Sequence, residues 1–112
     1  MKIVSFGKIP DTPVSHNPNI FKQVIAKKGD IPHIVQVARI TLKPGDGVPS
    51  HAHSDLYELV YVEAGQGMVV INGNEQAINS GDVLTIEPTE THEFANTSNQ
   101  ELTMFYFGVE SS

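Results

Sequence analysis

Apolar and polar residues alternate in short runs along most of this chain, and turn residues interrupt the runs every few positions. Alternation with a period of two is the pattern of a strand that buries one face. "HIVQVARITL" (33–42) is rich in β-branched residues and ends at Lys43-Pro44-Gly45, a turn signal. "YELVYVEAG" (57–65) and "QGMVVI" (66–71) flank Ala64-Gly65, which predicts a hairpin there. "VVINGNEQAI" (69–78) carries Asn72-Gly73, a strong hairpin signal because both residues tolerate positive φ. "GDVLTI" leads into "EPTETHEF", and "ELTMFYFGV" closes the series. "NIFKQVIA" (19–26) suits two readings. Ile20, Phe21, Val24 and Ile25 would form a helical stripe, while Phe21, Gln23 and Ile25 alternate with Ile20, Lys22 and Val24 as in a strand. No convincing amphipathic helix stands out elsewhere. Roughly eight to ten short strands with close turn signals predict an all-β sandwich or barrel.

Residues 1–18 hold Pro10, Pro13 and Pro18 among polar residues, which predicts an irregular N-terminal arm. The expected domain then runs over 19–112. A chain of 112 residues is one domain, long enough to bury roughly two-thirds of its unfolded surface. It has no cysteine, which excludes disulfides and thiolate metal sites. Seven basic against thirteen acidic residues give a net charge of −6. Nucleic acid and anionic membrane surfaces are therefore not expected partners. "MKIVSFGKIPDTP" lacks the apolar core of a signal peptide, and no apolar run nears the roughly 20 residues of a membrane span. A soluble, cytoplasmic protein is the expectation.

Chemistry concentrates in "GDGVPSHAHSDLYELVYVEAG" (45–65). Residues i and i+2 of an extended segment point the same way, about 7 Å apart. His51 and His53 would thus face one side, and Pro49 favours an extended approach. Glu58 shares the parity of Val60 and Val62, an apolar and so inward face. An inward carboxylate without a partner is costly, and two inward imidazoles with a cation would compensate it. His92 lies beyond the Asn-Gly turn, early in a later strand. Three imidazoles and a carboxylate suit divalent Mn, Fe, Ni, Co, Cu or Zn.

At these residues the sequence resembles the cupin superfamily. Its first motif is Gly, five residues, His-x-His, three or four residues, Glu, six residues, Gly. Gly45, His51, His53, Glu58 and Gly65 match every fixed position. Its second motif runs from a Gly through a Pro and a Gly to a His, then an Asn four residues on. Gly81, His92 and Asn96 match, with the Gly-to-His separation of eleven kept. Pro88 sits one place late and Thr89 stands where the pattern has glycine, so the turn between them is expected to differ. The resemblance implies a small single-domain cupin, that is, a double-stranded β-helix or jelly-roll barrel. It implies His51, His53, Glu58 and His92 as metal ligands, so that replacing His53 would reduce metal occupancy.

Two pocket-lining residues are added on parity. Gln36 aligns with Ala38, Ile40 and Leu42, and Phe94 with His92, whereas Arg39 should point outward. His16 and His33 lack a partner pattern and read as surface residues. Asn96 reads as a turn or backbone-bonding residue. The leading functional expectation is a metal-dependent enzyme acting on a small carboxylate or polyhydroxylated substrate, of dioxygenase, decarboxylase or isomerase type. The alternatives are a non-catalytic small-molecule or metal-binding module and a structural zinc site. No helix-turn-helix pattern occurs, so a complete transcription factor is not expected. Finally, "ELTMFYFGV" and "YELVYV" are apolar on both faces. An outer apolar face needs a cover, which predicts a homodimer, or a monomer whose own arm lies across it.

Overall fold

A computed structural model describes residues 1–15 and 17–112. His16 lies outside the described residues. Two antiparallel sheets face each other. The larger orders β1 (Asp11–Val14), β2 (Asn17–Lys27), β3 (Ile34–Leu42), β10 (Leu102–Glu110), β5 (Leu56–Ala64) and β8 (Val83–Ile86). The smaller orders β4 (Gly47–His51), β9 (His92–Ala95), β6 (Gln66–Ile71) and β7 (Asn74–Asn79). A 3-10 turn at Phe6–Lys8 precedes them. This is an all-β, two-sheet jelly-roll arrangement.

On β3 and β5 the inward residues are those the alternation marks, while β10, apolar on both faces, turns Leu102 and Met104 inward. Ala38, Ile40 and Leu42 from β3, Val60 and Val62 from β5, and Leu102 and Met104 from β10 are buried. Across from them lie Val69, Ile78 and Phe94 of the smaller sheet. Leu42, Val62 and Leu102 are completely excluded from water. Each contributes about 1.5–3 kcal/mol of transfer free energy. Asn96, also buried, closes the loop behind β9. Its Nδ2 donates to the carbonyls of Leu42 (2.9 Å) and Gln100 (2.7 Å), and its Oδ1 accepts from the Ser98 N–H.

"NIFKQVIA" is strand. Ile20 is buried, and the pairing with β3 jumps from Val24↔Ala38 to Ala26↔Val37, leaving Ile25 as a bulge. Ala26, at the parity of Ile20, is buried just beyond the bulge. Asn72 (φ 48°) and Gly73 (φ 82°) form the expected two-residue hairpin between β6 and β7.

Two local expectations are corrected. The arm is irregular only in part, because β1 pairs with β2 from Asp11↔Gln23 to Val14↔Asn17. Pro13 is tolerated within β1 because β1 is the outer strand of its sheet, where a missing N–H leaves no ladder bond unmade. Ala64-Gly65 is not a hairpin, since β5 and β6 belong to different sheets. Gly65 (φ 87°) is a corner that carries the chain from one sheet to the other, tight against the backbone of Glu101 and Leu102.

Candidate metal centre

The two sheets meet at one end of the barrel, and both contribute to the cluster there. The β4–β9 ladder places His51 directly opposite His92. Their ring centroids are 4.1 Å apart. His53 follows β4 in the loop to β5, with its ring 5.2 Å from His51 and 5.7 Å from His92. Glu58 comes from the other sheet, flanked by Ile86 of β8 and Gly108 of β10. Each of the four residues offers a ligand atom, and these atoms lie within 4.8 Å of one another.

Backbone carbonyls orient two of the rings. His51 Nδ1 lies 2.9 Å from the Pro49 carbonyl and His92 Nδ1 lies 3.1 Å from the Glu90 carbonyl. A carbonyl only accepts, so both Nδ1 atoms carry hydrogen, which leaves each Nε2 for the shared space. Glu58 Oε2 approaches His92 Nε2 at 3.4 Å and His53 Nε2 at 3.6 Å. These are ion-pair contacts too long for a good hydrogen bond. Glu58 Oε2 and His92 Nε2 are accordingly buried without a hydrogen-bond partner. Orphaned buried polar atoms that converge on three imidazoles fit a divalent cation. Ligand atoms on opposite sides of one ion with bonds of about 2.1 Å stand about 4.2 Å apart, so the cluster needs to contract by at most about 0.6 Å.

Thr89 occupies the place where the resembled pattern has glycine. It adopts φ 73°, the left-handed conformation that glycine takes freely and a β-branched residue does not. Its N–H donates to the His53 carbonyl at 2.6 Å, so the strained turn holds the loop that carries His53.

Burial alone would push the Glu58 carboxyl up, but the facing histidines, His92 foremost, hold it below its ordinary value. Burial alone would lower His92, but Glu58 and the Glu90 carbonyl raise it. The signs set a pH window for the metal-free protein. A depressed carboxyl stabilises above its unfolded value, near 4.5, and that contribution disappears on acidification through the folded value. A raised imidazole stabilises fully below 6.5, and that contribution disappears as the pH rises through the folded value. Scanning calorimetry in chelator is expected to show this pair contributing most between about pH 4.5 and 6.5. The melting temperature should then decline toward pH 8. A melting temperature that rises steadily over that range would contradict the pairing.

The cluster opens into a cavity of about 230 Å³ lined also by Lys22, Gln36, Phe94 and Tyr106. Gln36 and Phe94 are among its lining residues. Arg39 faces outward as expected, paired with Glu63 at 3.1 Å and 4.5 Å over the Phe6 ring. His33 is exposed, with Glu110 at 3.7 Å. Lys22 and Tyr106 were missed as pocket residues. The available signals were Lys22 at the parity of Ile20 and Val24, and Tyr106 at that of Leu102 and Met104.

Two facing antiparallel sheets with a histidine and carboxylate cluster at the barrel mouth define a class, and comparison with known proteins agrees. The family described as "Cupin domain" matches residues 38–108, and the chain belongs to it. It is 37% identical to an oxalate-binding protein of Thermotoga maritima over 65 residues, 58% of this chain and 54% of that protein. It is 38% identical to the HTH-type transcriptional activator RhaS of Escherichia fergusonii over 69 residues, 62% of this chain and 24% of the activator. The matches thus span about half the length of the first relative and a quarter of the second. The solved structure of a predicted oxalate decarboxylase from Thermotoga maritima superposes with a TM-score of 0.90. It is 24% identical, and the superposition covers 97% of this chain and 99% of that one. At that identity the likeness concerns the fold.

Proposed function

We propose that His51, His53, Glu58 and His92 hold one divalent transition metal, and that the cavity beside it takes up a small carboxylate or polyhydroxylated molecule for metal-dependent chemistry. The observation that carries this reading is the pair of buried, unbonded atoms, Glu58 Oε2 and His92 Nε2, aimed into a cluster of four ligands. When bound, such a metal supplies Lewis-acid or redox chemistry to an oxygen ligand. The chain's own residues do the rest. Val48, Val60, Phe94 and Met104 make an apolar wall that displaces water. Tyr106, pushed up to about 12 by burial and then by the Glu58 charge, keeps its phenolic proton and remains a donor. A cavity of about 230 Å³ falls below the range of drug-sized ligands and selects small ones. The oxalate-binding relative supports an anionic ligand, and decarboxylase, dioxygenase and isomerase reactions are the activities to screen. The second reading, binding without turnover, is favoured by the lining. Outside the four candidate ligands it offers only Lys22 and Tyr106 as ionisable groups among the described residues.

Thermal-shift measurements on metal-loaded protein are expected to show stabilisation by oxalate, other dicarboxylates, keto acids or sugar acids. Ligand at a hundred times its dissociation constant stabilises by about 2.7 kcal/mol, which is about 10 °C for a chain of this size. No response to any of these, with clear stabilisation by hydrocarbons or steroids, would overturn the proposal. Product analysis of the same mixtures separates turnover from binding.

The same proposal includes a cytoplasmic homodimer. In support, no helix among the described residues is long and apolar enough to cross a membrane. Tyr57, Tyr61 and Val83 are exposed on the outer face of the larger sheet. Tyr61 pairs with Phe105 and Val83, and Phe107 with Leu59 and Val37, so the apolar residues run continuously across four strands. The arm covers another part of that face, where Gln23 Nε2 donates to the carbonyls of Phe6 (2.7 Å) and Ile9 (3.2 Å). A second copy meeting the stripe through a two-fold axis would bury it. Light scattering at micromolar concentration is expected to give twice the 12.2 kDa chain mass, and Tyr61→Asp or Phe107→Asp to reduce it. A concentration-independent mass near 12.2 kDa for the wild type would rule the dimer out.

A further inference from the structure

Lys22 enters the cavity from β2, on the inward face of that strand with the buried Ile20. Its Nζ lies 3.3 Å from Gln36 Oε1, and the Tyr106 hydroxyl lies 3.2 Å from the same oxygen. An ammonium can only donate, so the Gln36 atom facing it is the carbonyl oxygen. The phenol keeps its proton and donates to that oxygen as well. Two donors on one acceptor fix the rotation of the carboxamide, and the Gln36 N–H groups are left out of both contacts. All three residues line the same cavity as His51, His53 and Glu58.

Lys22 is the one lysine or arginine among the described residues of that lining, and it has no ion-pair partner among the described residues. The carboxylate in the lining, Glu58, is turned toward His53 and His92. Satisfying Gln36 does not require a cation, because Tyr106 already bonds the same oxygen. A cation on an otherwise largely apolar wall is favoured there if the occupant brings the opposite charge.

We propose that Lys22 anchors the second anionic group of the ligand, which makes the pocket selective for small dicarboxylates over monocarboxylates, with Gln36 and Tyr106 as positioning residues. The assignment rests on the reading of the cluster as a metal centre that takes carboxylates. It names the ligand class further. A divalent ion against Glu58 leaves one net positive charge and Lys22 adds another, which a dicarboxylate neutralises. The ordered Gln36 N–H groups then donate to the same carboxylate that Lys22 holds.

Oxalate and oxamate test this, because they share shape and one carboxylate while the second end is charged only in oxalate. Calorimetric titration of metal-loaded wild type, Lys22→Met and Lys22→Arg with both probes should be accompanied by elemental analysis of each protein. Wild type is expected to prefer oxalate. Lys22→Met, which keeps the aliphatic stem, should lose about tenfold or more in oxalate affinity and change little toward oxamate. Lys22→Arg should restore the preference, and metal content should be equal in all three. A merely structural lysine would weaken both probes together and would not discriminate between them. If wild type binds oxalate and Lys22→Met binds it equally well, or loses both probes equally, the assignment of Lys22 fails and the metal centre stands. If metal-loaded wild type binds neither probe, the assignment of Lys22 fails, while the metal centre is judged separately by the elemental analysis.

Discussion

Protein carrying His92→Ala is expected to bind divalent metal at least about a hundredfold more weakly than wild type, a larger effect than removal of a residue behind the ligands would have. The reason lies in where His92 stands. Its side chain is 1% exposed, its ring is oriented by the Glu90 carbonyl, and its Nε2 is one of two buried atoms left without a hydrogen bond. His53, by contrast, has a side chain 40% open to solvent, where water can partly replace it. Removing His92 leaves His51 without its cross-strand neighbour and Glu58 without the histidine that most favours its ionised form. Elemental analysis of protein purified without chelator or affinity tag measures the effect, with circular dichroism as the control for folding. Occupancy of the wild type should also fall below about pH 6, because protons compete for the imidazole nitrogens. Equal metal in wild type and in a variant with His51, His53 and His92 all changed to alanine would remove the basis for the centre.

Gly65→Ala is expected to destabilise the fold by about 3 kcal/mol or more, which lowers the melting temperature by at least about 10 °C. Two costs add. An alanine at φ 87° enters the left-handed region at about 1–2 kcal/mol. Its Cβ would also run into the Glu101 carbonyl oxygen and lie 3.0 Å from Leu102 Cα. These are backbone atoms at the start of β10, a central strand of the larger sheet, and they cannot swing aside as a side chain would. Gly81 supplies the comparison. It has φ 95°, but nothing lies within 4 Å of the position its Cβ would take. Gly81→Ala should therefore cost only the conformational part, about 1–2 kcal/mol. Similar melting temperatures for the two variants would mean that the corner relaxes and that the close approach does not matter.

The contrast between these two glycines shows where sequence reasoning reaches its limit. Both belong to the resembled motifs, and both take positive φ. Nothing local distinguishes a glycine in open space from one wedged against a strand that begins 37 residues later at Leu102. For the same reason Ala64-Gly65 looked like a hairpin. Two alternating runs around a glycine read identically whether the second run pairs with the first or crosses to the opposite sheet. The pairing of β1 with β2, the Ile25 bulge and the meeting of Lys22, Gln36 and Tyr106 likewise depend on partners far apart in the chain.

The sequence by itself determined what rests on local periodicity and fixed spacing. The all-β class, the inward faces of β3 and β5, the Asn72-Gly73 hairpin and the four candidate ligands follow from side-chain parity, backbone tolerance and the spacing of the motifs the chain resembles, none of which requires knowing which strands pair. The tertiary structure alone decided which strands share a sheet, that Glu58 meets the histidines from the opposite sheet, that Thr89 is held at positive φ, and that a lysine faces the cavity without an anion. Those are contacts between residues distant in the chain. Their energies exist only once both sheets have closed around a common interior, so no window of sequence contains them.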